Sequence, residues 1–145
     1  MEYPVCNVIF RVPAQSNHDR NPKAIAKAYT SDSIWRNRSS FLTGTAAIED
    51  FLTKKWDKEK NYRLRKELFA FTDNKIAVQF WYEYQDAHDG MKWRRCYGLE
   101  DWTFAEDGRM RKRQMSGNDM DIDDACEYSG FESVCTVTDI CSAVV

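Results

Sequence analysis

Between residues 75 and 84 apolar side chains fall on every second position. Ile76, Val78, Phe80, Tyr82 and Tyr84 share one face, and Lys75, Gln79 and Glu83 share the other. A period of two marks a strand with one buried side. The same alternation over 91–104 sets Cys96, Gly98, Glu100, Trp102 and Phe104 against Arg95, Tyr97, Leu99, Asp101 and Thr103. Further strands are predicted over 62–71 and 109–119, with turns at Thr72-Asp73-Asn74, at 86–90 and at Glu106-Asp107-Gly108. Upstream the period lengthens. Asn21-Pro22 pairs a good N-cap with a favoured first helical residue, and Ile25, Ala28 and Tyr29 follow at helical spacing. A strand is predicted over 33–38. Thr45 then caps a longer helix to about Glu59, with Ile48, Phe51, Leu52 and Trp56 on one stripe and Glu49, Asp50, Lys54 and Lys58 opposite. Helix, strand, helix and then consecutive antiparallel strands predict an α+β fold with the helices on one face of the sheet.

The apolar face of the sheet must meet those helices, which makes Glu100 an anomaly: a carboxylate in an apolar row. A buried charge is costly unless paired. The last strand offers a cation, since Arg111, Arg113 and Met115 alternate along it. Glu100 and Arg113 therefore form either a structural cross-strand pair or the polar centre of a pocket, where they are the candidate catalytic residues. The first strand turns Trp35 and Asn37 to one side and Arg36 and Arg38 to the other. With Phe80, Tyr82, Trp102 and Met115, Trp35 and Asn37 make up the candidate ligand-binding set. A mostly apolar hollow with a few convergent polar groups is the usual form of a small-molecule site.

Composition narrows the field. The chain has 145 residues, 43% hydrophobic and 30% charged, the balance of one globular domain. Basic and acidic residues number 21 and 23, for a net charge of -2, so no phosphate-binding excess points to nucleic acid. No apolar run approaches the roughly 20 residues of a membrane helix. Five cysteines without a CxxC pair, and two histidines, indicate neither a disulfide framework nor a metal site. The expected location is the cytoplasm, and no cofactor motif is present. Arg63, Arg65, Arg94 and Arg95, interleaved with Glu67, Glu83 and Asp101, read mainly as a solvated outer face laced with cross-strand pairs. His88 falls in a turn.

Several strings carry a family likeness: Asp32-Ser33-Ile34-Trp35-Arg36-Asn37-Arg38, Phe41-Leu42-Thr43-Gly44, Phe51-Leu52-Thr53-Lys54-Lys55-Trp56, Tyr62-Arg63-Leu64-Arg65-Lys66-Glu67-Leu68, Tyr97-Gly98 with Trp102, and Asn118-Asp119. Over residues 21–122 they resemble the domain-of-unknown-function 1348 family, which is SnoaL-like, within the nuclear transport factor 2-like superfamily. The resemblance implies a cone of curved antiparallel sheet with helices packed on its concave face, often a homodimer through the outer sheet face. That superfamily includes polyketide cyclases, ketosteroid isomerases, scytalone dehydratases and non-catalytic carriers. The tract from Tyr29 to Asn37 is similar to one in the isomerases and sets Asn37 where they carry a basic aspartate; an amide cannot abstract a proton. Glu100 takes the place of their protonated oxyanion-hole aspartate. Held neutral by an apolar wall it would donate a hydrogen bond; beside Arg113 it would stay ionised. Both alternatives stand at this point.

The flanks depart from the family pattern. Residues 1–20 contain Pro4 and Pro13 and no sustained helical stripe where a first helix is expected. Residues 123–145 read as an atypical, disordered tail, and the two departures together suggest an alternative transcript lacking the first helix. The functional expectation is a pocket for a small hydrophobic molecule, with lyase or isomerase chemistry on a carbonyl or cyclic substrate. The alternative is a non-catalytic ligand-binding or dimerising protein.

Overall fold

The computed structural model describes residues 20–123; the flanking segments of the previous paragraph lie almost wholly outside them. Asn21 caps helix α1 (Pro22–Ala26), its side-chain oxygen accepting from the Lys23 and Ala24 amides. Strand β1 (Tyr29–Asn37) and a short β2 (Ser40–Thr43) precede helix α2 (Thr45–Lys58). Four long strands complete the domain: β3 (Glu59–Thr72), β4 (Lys75–Asp86), β5 (Lys92–Phe104) and β6 (Met110–Asp121). They form one six-stranded sheet in the order β2-β1-β6-β5-β4-β3. The four long strands run antiparallel to their neighbours, as the alternation predicts. The sheet is nevertheless mixed, because β1 lies parallel to β6.

Three local expectations are corrected. Gly44, not Thr45, is the N-cap of α2: its backbone has φ 81°, and it makes no side-chain capping bond. An L side chain is strained at that angle, and a Cβ there would come within 3.2 Å of the Ser31 carbonyl oxygen. Strand β2 was not anticipated. Helix α1 ends at Ala26, so Ala28 and Tyr29 lie beyond it and Tyr29 opens β1.

Ile48, Leu52 and Trp56 of α2 are buried against the sheet, as their spacing predicts. They share a core with Ile25, Tyr29, Trp35, Ile76, Val78, Trp102, Phe104 and Met110. Farther along the same strands a second apolar cluster gathers Phe80, Tyr82, Tyr84, Cys96 and Met115. The strand register shows how the rows are laid. Trp102, Arg113 and Trp35 are laterally paired across β5, β6 and β1. The next row runs Leu68, Val78, Glu100, Met115, Asn37, and the one after it Lys66, Phe80, Gly98, Gly117. The two glycines make room for the Phe80 ring. A Cβ on Gly98 would lie 2.3 Å from Phe80 Cζ and 2.2 Å from the Ser116 carbonyl oxygen, and one on Gly117 would lie 2.8 Å from Cys96 Sγ. A side chain there would collide, so glycine marks a close approach within the sheet.

Candidate functional site

Glu100 sits on β5 between the two apolar clusters and is only 3% exposed. Its carboxylate is shared. Arg113, one strand away, donates from Nε and Nη2 to Oε2, each at 2.7 Å. Lys66 reaches across from β3 and donates from Nζ to Oε1. Burial by itself would raise the pKa of Glu100, but Arg113 and then Lys66 pull it down to about 2. Glu100 is thus ionised at neutral pH and accepts hydrogen bonds; the neutral, donating alternative is not the one adopted. Arg113 also donates to the Tyr29 hydroxyl (3.0 Å) and lies 4.5 Å over the Trp35 ring. Burial opposes the charge on Arg113, yet Glu100 and Tyr29 hold its pKa above the ordinary value. Lys66 lies 4.7 Å over the Trp102 ring. Burial, aided by Arg113 and Lys55 and opposed by Glu100, lowers its pKa to about 8.

The remaining candidates from the sequence also face inward. Trp35, Asn37, Phe80, Tyr82, Trp102 and Met115 are all buried. Arg36 points away, to Ser116 Oγ at 3.0 Å. Arg38 does not follow it. Its backbone turns to φ 55° just beyond β1, which breaks the alternation and sends the guanidinium onto the concave face. There it grips Asp119 through Nε and Nη2, each at 2.7 Å, and donates to Tyr82 Oη at 2.8 Å and Cys96 Sγ at 2.9 Å. Arg111 departs the other way. A register shift in the β5–β6 pairing puts Met110 in the buried position and leaves Arg111 exposed.

Two cations of this face were missed from sequence although their spacing shows them. Lys55 continues the Ile48–Leu52 stripe of α2 one turn on, and Lys66 shares the parity of Leu64 and Leu68 on β3. Lys55 pairs with Glu59, which is itself buried, and lies 4.9 Å over Tyr62 and 4.7 Å over Tyr82. Burial lowers its pKa despite Glu59. Glu100 is therefore not a lone acid. It belongs to a layer of ion pairs lying across aromatic rings, where cation–π attraction adds to each pair.

The outer pairs depart from the solvated, cross-strand arrangement expected: Arg65 meets Glu67 of its own strand, and Arg95 meets Glu83 across β5 and β4 with both buried. His88 lies at the surface, 2.9 Å from Asp57. An open surface hollow of about 420 Å³ lies at the far hairpin ends, lined by Asp73, Asn74, Phe104, Ala105, Glu106, Gly108 and Arg111. It contains none of the candidate site residues, and the ion-pair layer is the stronger chemical feature.

A curved, unclosed mixed sheet of six strands with two helices is the cone architecture of SnoaL-like proteins of the nuclear transport factor 2-like superfamily. The model of one family, described as "Protein of unknown function (DUF1348)", matches residues 9–128, and the chain belongs to that family. The match extends at both ends beyond the residues that carry the resemblance by eye. A SnoaL-like polyketide cyclase from Shewanella denitrificans is similar over 79% of this chain and 90% of its own, with 14% identity and a TM-score of 0.64. A phenazine biosynthesis-related protein from Pseudomonas aeruginosa matches over 79% of each chain, at 10% identity and TM-score 0.67. A Mycobacterium tuberculosis protein in complex with estradiol-17beta-hemisuccinate covers 81% of this chain and 95% of its own, at 15% identity and TM-score 0.63. At these identities the likeness is one of fold. A comparison with curated proteins gives no match. Among the described residues, no helix is long and apolar enough to cross a membrane.

Proposed function

We propose that the concave face binds a small, largely hydrophobic molecule, held between the two apolar clusters and oriented by the Lys66–Glu100–Arg113 layer. The observation that carries this reading is the sharing of one buried carboxylate by two cations, both of which lie over tryptophan rings. Charged groups are costly to bury, and a core needing only stability is served as well by apolar residues. Trp35, Asn37, Phe80, Tyr82, Trp102 and Met115 supply walls and one amide. Glu100, with a pKa of about 2, has no proton to give at neutral pH and is a weak base. It serves as a positioning residue for Lys66 and Arg113 rather than as a general acid. If lyase or isomerase chemistry occurs here, the two cations polarise a substrate carbonyl and carry it.

Native mass spectrometry of the full purified chain is the direct test. A co-purifying mass of a few hundred daltons, lost on denaturation, is the expected result. A bare chain mass, together with no displacement of a bound environment-sensitive dye by hydrophobic carbonyl compounds, would reject the pocket.

The outer face supports a second element of the proposal. Ile34, Tyr97, Leu99 and Met120 are exposed there, and the register places Tyr97 and Leu99 two apart on the central strand β5. Exposed apolar side chains on a sheet face suit pairing with a second copy. Light scattering after size exclusion should give the mass of a dimer, and Leu99→Lys should shift it to the monomer. A monomeric parent chain refutes this element alone. We assign the protein to the cytoplasm, on the absence of a CxxC spacing among its five cysteines and on the free Cys96.

A further inference from the structure

Charge on the concave face does not balance among the described residues. Asp119 answers Arg38 and Glu59 answers Lys55, but Glu100 alone answers both Lys66 and Arg113. One positive charge is left over at the Glu100 layer. A second lies at its edge. Arg20 stacks 5.6 Å over Tyr62, the ring that Lys55 also covers, and gives one bond to the Glu59 carbonyl oxygen. Its Nε and Nη2 are buried with no partner. Among the described residues, no carboxylate pairs with it.

Hydrogen-bond donors are in surplus as well. An ammonium has three, and Glu100 takes one from Lys66. Trp35 and Trp102, the two rings under Arg113 and Lys66, each keep a buried Nε1–H without an acceptor. Buried donors and uncompensated charge are each expensive, and both deficits would be met by the same thing: an oxyanion. The Lys66 side chain remains 24% exposed, so the layer is reachable from outside.

From this juxtaposition we infer that the ligand of the cone carries an oxyanion head group, a carboxylate or a phosphate, on its apolar body, and that Lys66 is the residue that contacts it. The inference rests on the small-molecule reading above and specifies the chemistry of that molecule. The anion sits at the Lys66 ammonium on the side away from Glu100, and the apolar body lies along Phe80 and Met115. Glu100 sets the affinity in a distinctive way. It competes with the ligand for the same cations, so removing its charge strengthens anion binding instead of abolishing it.

The test uses the full chain and matched probes on two bodies, naphthalene and estradiol. Each body is offered as a neutral alcohol and as a carboxylate (estradiol-17β-hemisuccinate for the steroid), and naphthalene also as a phosphate monoester. Calorimetric titration should show the carboxylate at least tenfold tighter than the alcohol on the same body; the phosphate arm decides between the two head groups. Lys66→Met should erase the difference between carboxylate and alcohol, and Glu100→Gln should widen it.

A pH series gives a readout that a purely structural lysine would not. The groups facing Lys66 are Glu100 from β5, Arg113 from β6 and Lys55 from α2. A bound anion raises the Lys66 pKa from its free value of about 8. Carboxylate affinity should therefore be level between about pH 6 and 8 and fall by up to about tenfold per unit above it, whereas alcohol affinity stays flat. Equal affinity for acid and alcohol, or a preference that survives Lys66→Met, overturns the anion site and leaves the pocket standing. Failure of every probe on both bodies removes the pocket and the anion site together.

Discussion

Replacing Glu100 by leucine should destabilise the domain by about 3–5 kcal/mol, the usual cost of stranding buried partners of a broken ion pair. Two cations are stranded here, Lys66 and Arg113, each lying over a tryptophan ring with only 24% and 20% of its side chain exposed. The effect should nevertheless be repairable. With Lys66→Met and Arg113→Met added, the layer becomes apolar and of similar volume, and stability in urea should return to near the parent value. Persistent instability of the triple variant would mean that the loss came from packing rather than charge.

Acid provides an independent check. The folded pKa of Glu100, about 2, lies below its ordinary value of 4.5. Its contribution is therefore present in full above the unfolded value and disappears as pH falls from about 5 towards 2. The shift corresponds to about 3 kcal/mol. The parent chain should lose that stability over this window; the triple variant should lose correspondingly less.

Trp35→Ala should cost a comparable amount, about 3–5 kcal/mol. Trp35 is 2% exposed and joins three elements. It stacks on Tyr29 with ring centroids 5.8 Å apart, meets the edge of Phe51 from α2 at 5.3 Å, and carries Arg113 on its face. Removing the indole opens a cavity where α2 crosses the sheet and also exposes one flank of the Glu100 layer. Trp35→Phe keeps a ring for the guanidinium and should cost about half as much. Equal losses for the two substitutions, read from urea midpoints at constant slope, would show that the indole's size, not the aromatic contact, carries the site.

Strands β4 and β5 and helix α2 were legible because each has one apolar and one polar side, and burial on one face writes that pattern directly into the residues; β3 and β6 were legible from the turns that bound them. The inward direction of Glu100 followed from the same alternation. What was not legible lacks the pattern. Strand β2 pairs with β1 at the sheet edge, and its Phe41 is 77% exposed, so nothing in its composition advertises a strand. The inward turn of Arg38 depends on one positive φ, and the outward displacement of Arg111 on one register shift. Alternation cannot foresee either. Lys55 and Lys66 are a different case. Their positions on apolar stripes were visible, but a lysine reads by default as solvated, and only the structure shows the carboxylates and rings that hold them inside.

The parallel pairing of β1 with β6 has a kinetic consequence. Trp35 lies beside Arg113, and Tyr29 beside Met110, so β1 joins the four long strands only through the last of them, while the intervening hairpins can form from near neighbours in the chain. Such distant closure is slow because the loop entropy is lost before contacts repay it. On the ribosome, the residues that will flank Glu100 stay apart until β6 has emerged, and the nascent chain carries an unfinished, sticky hairpin sheet from the completion of β4 until then.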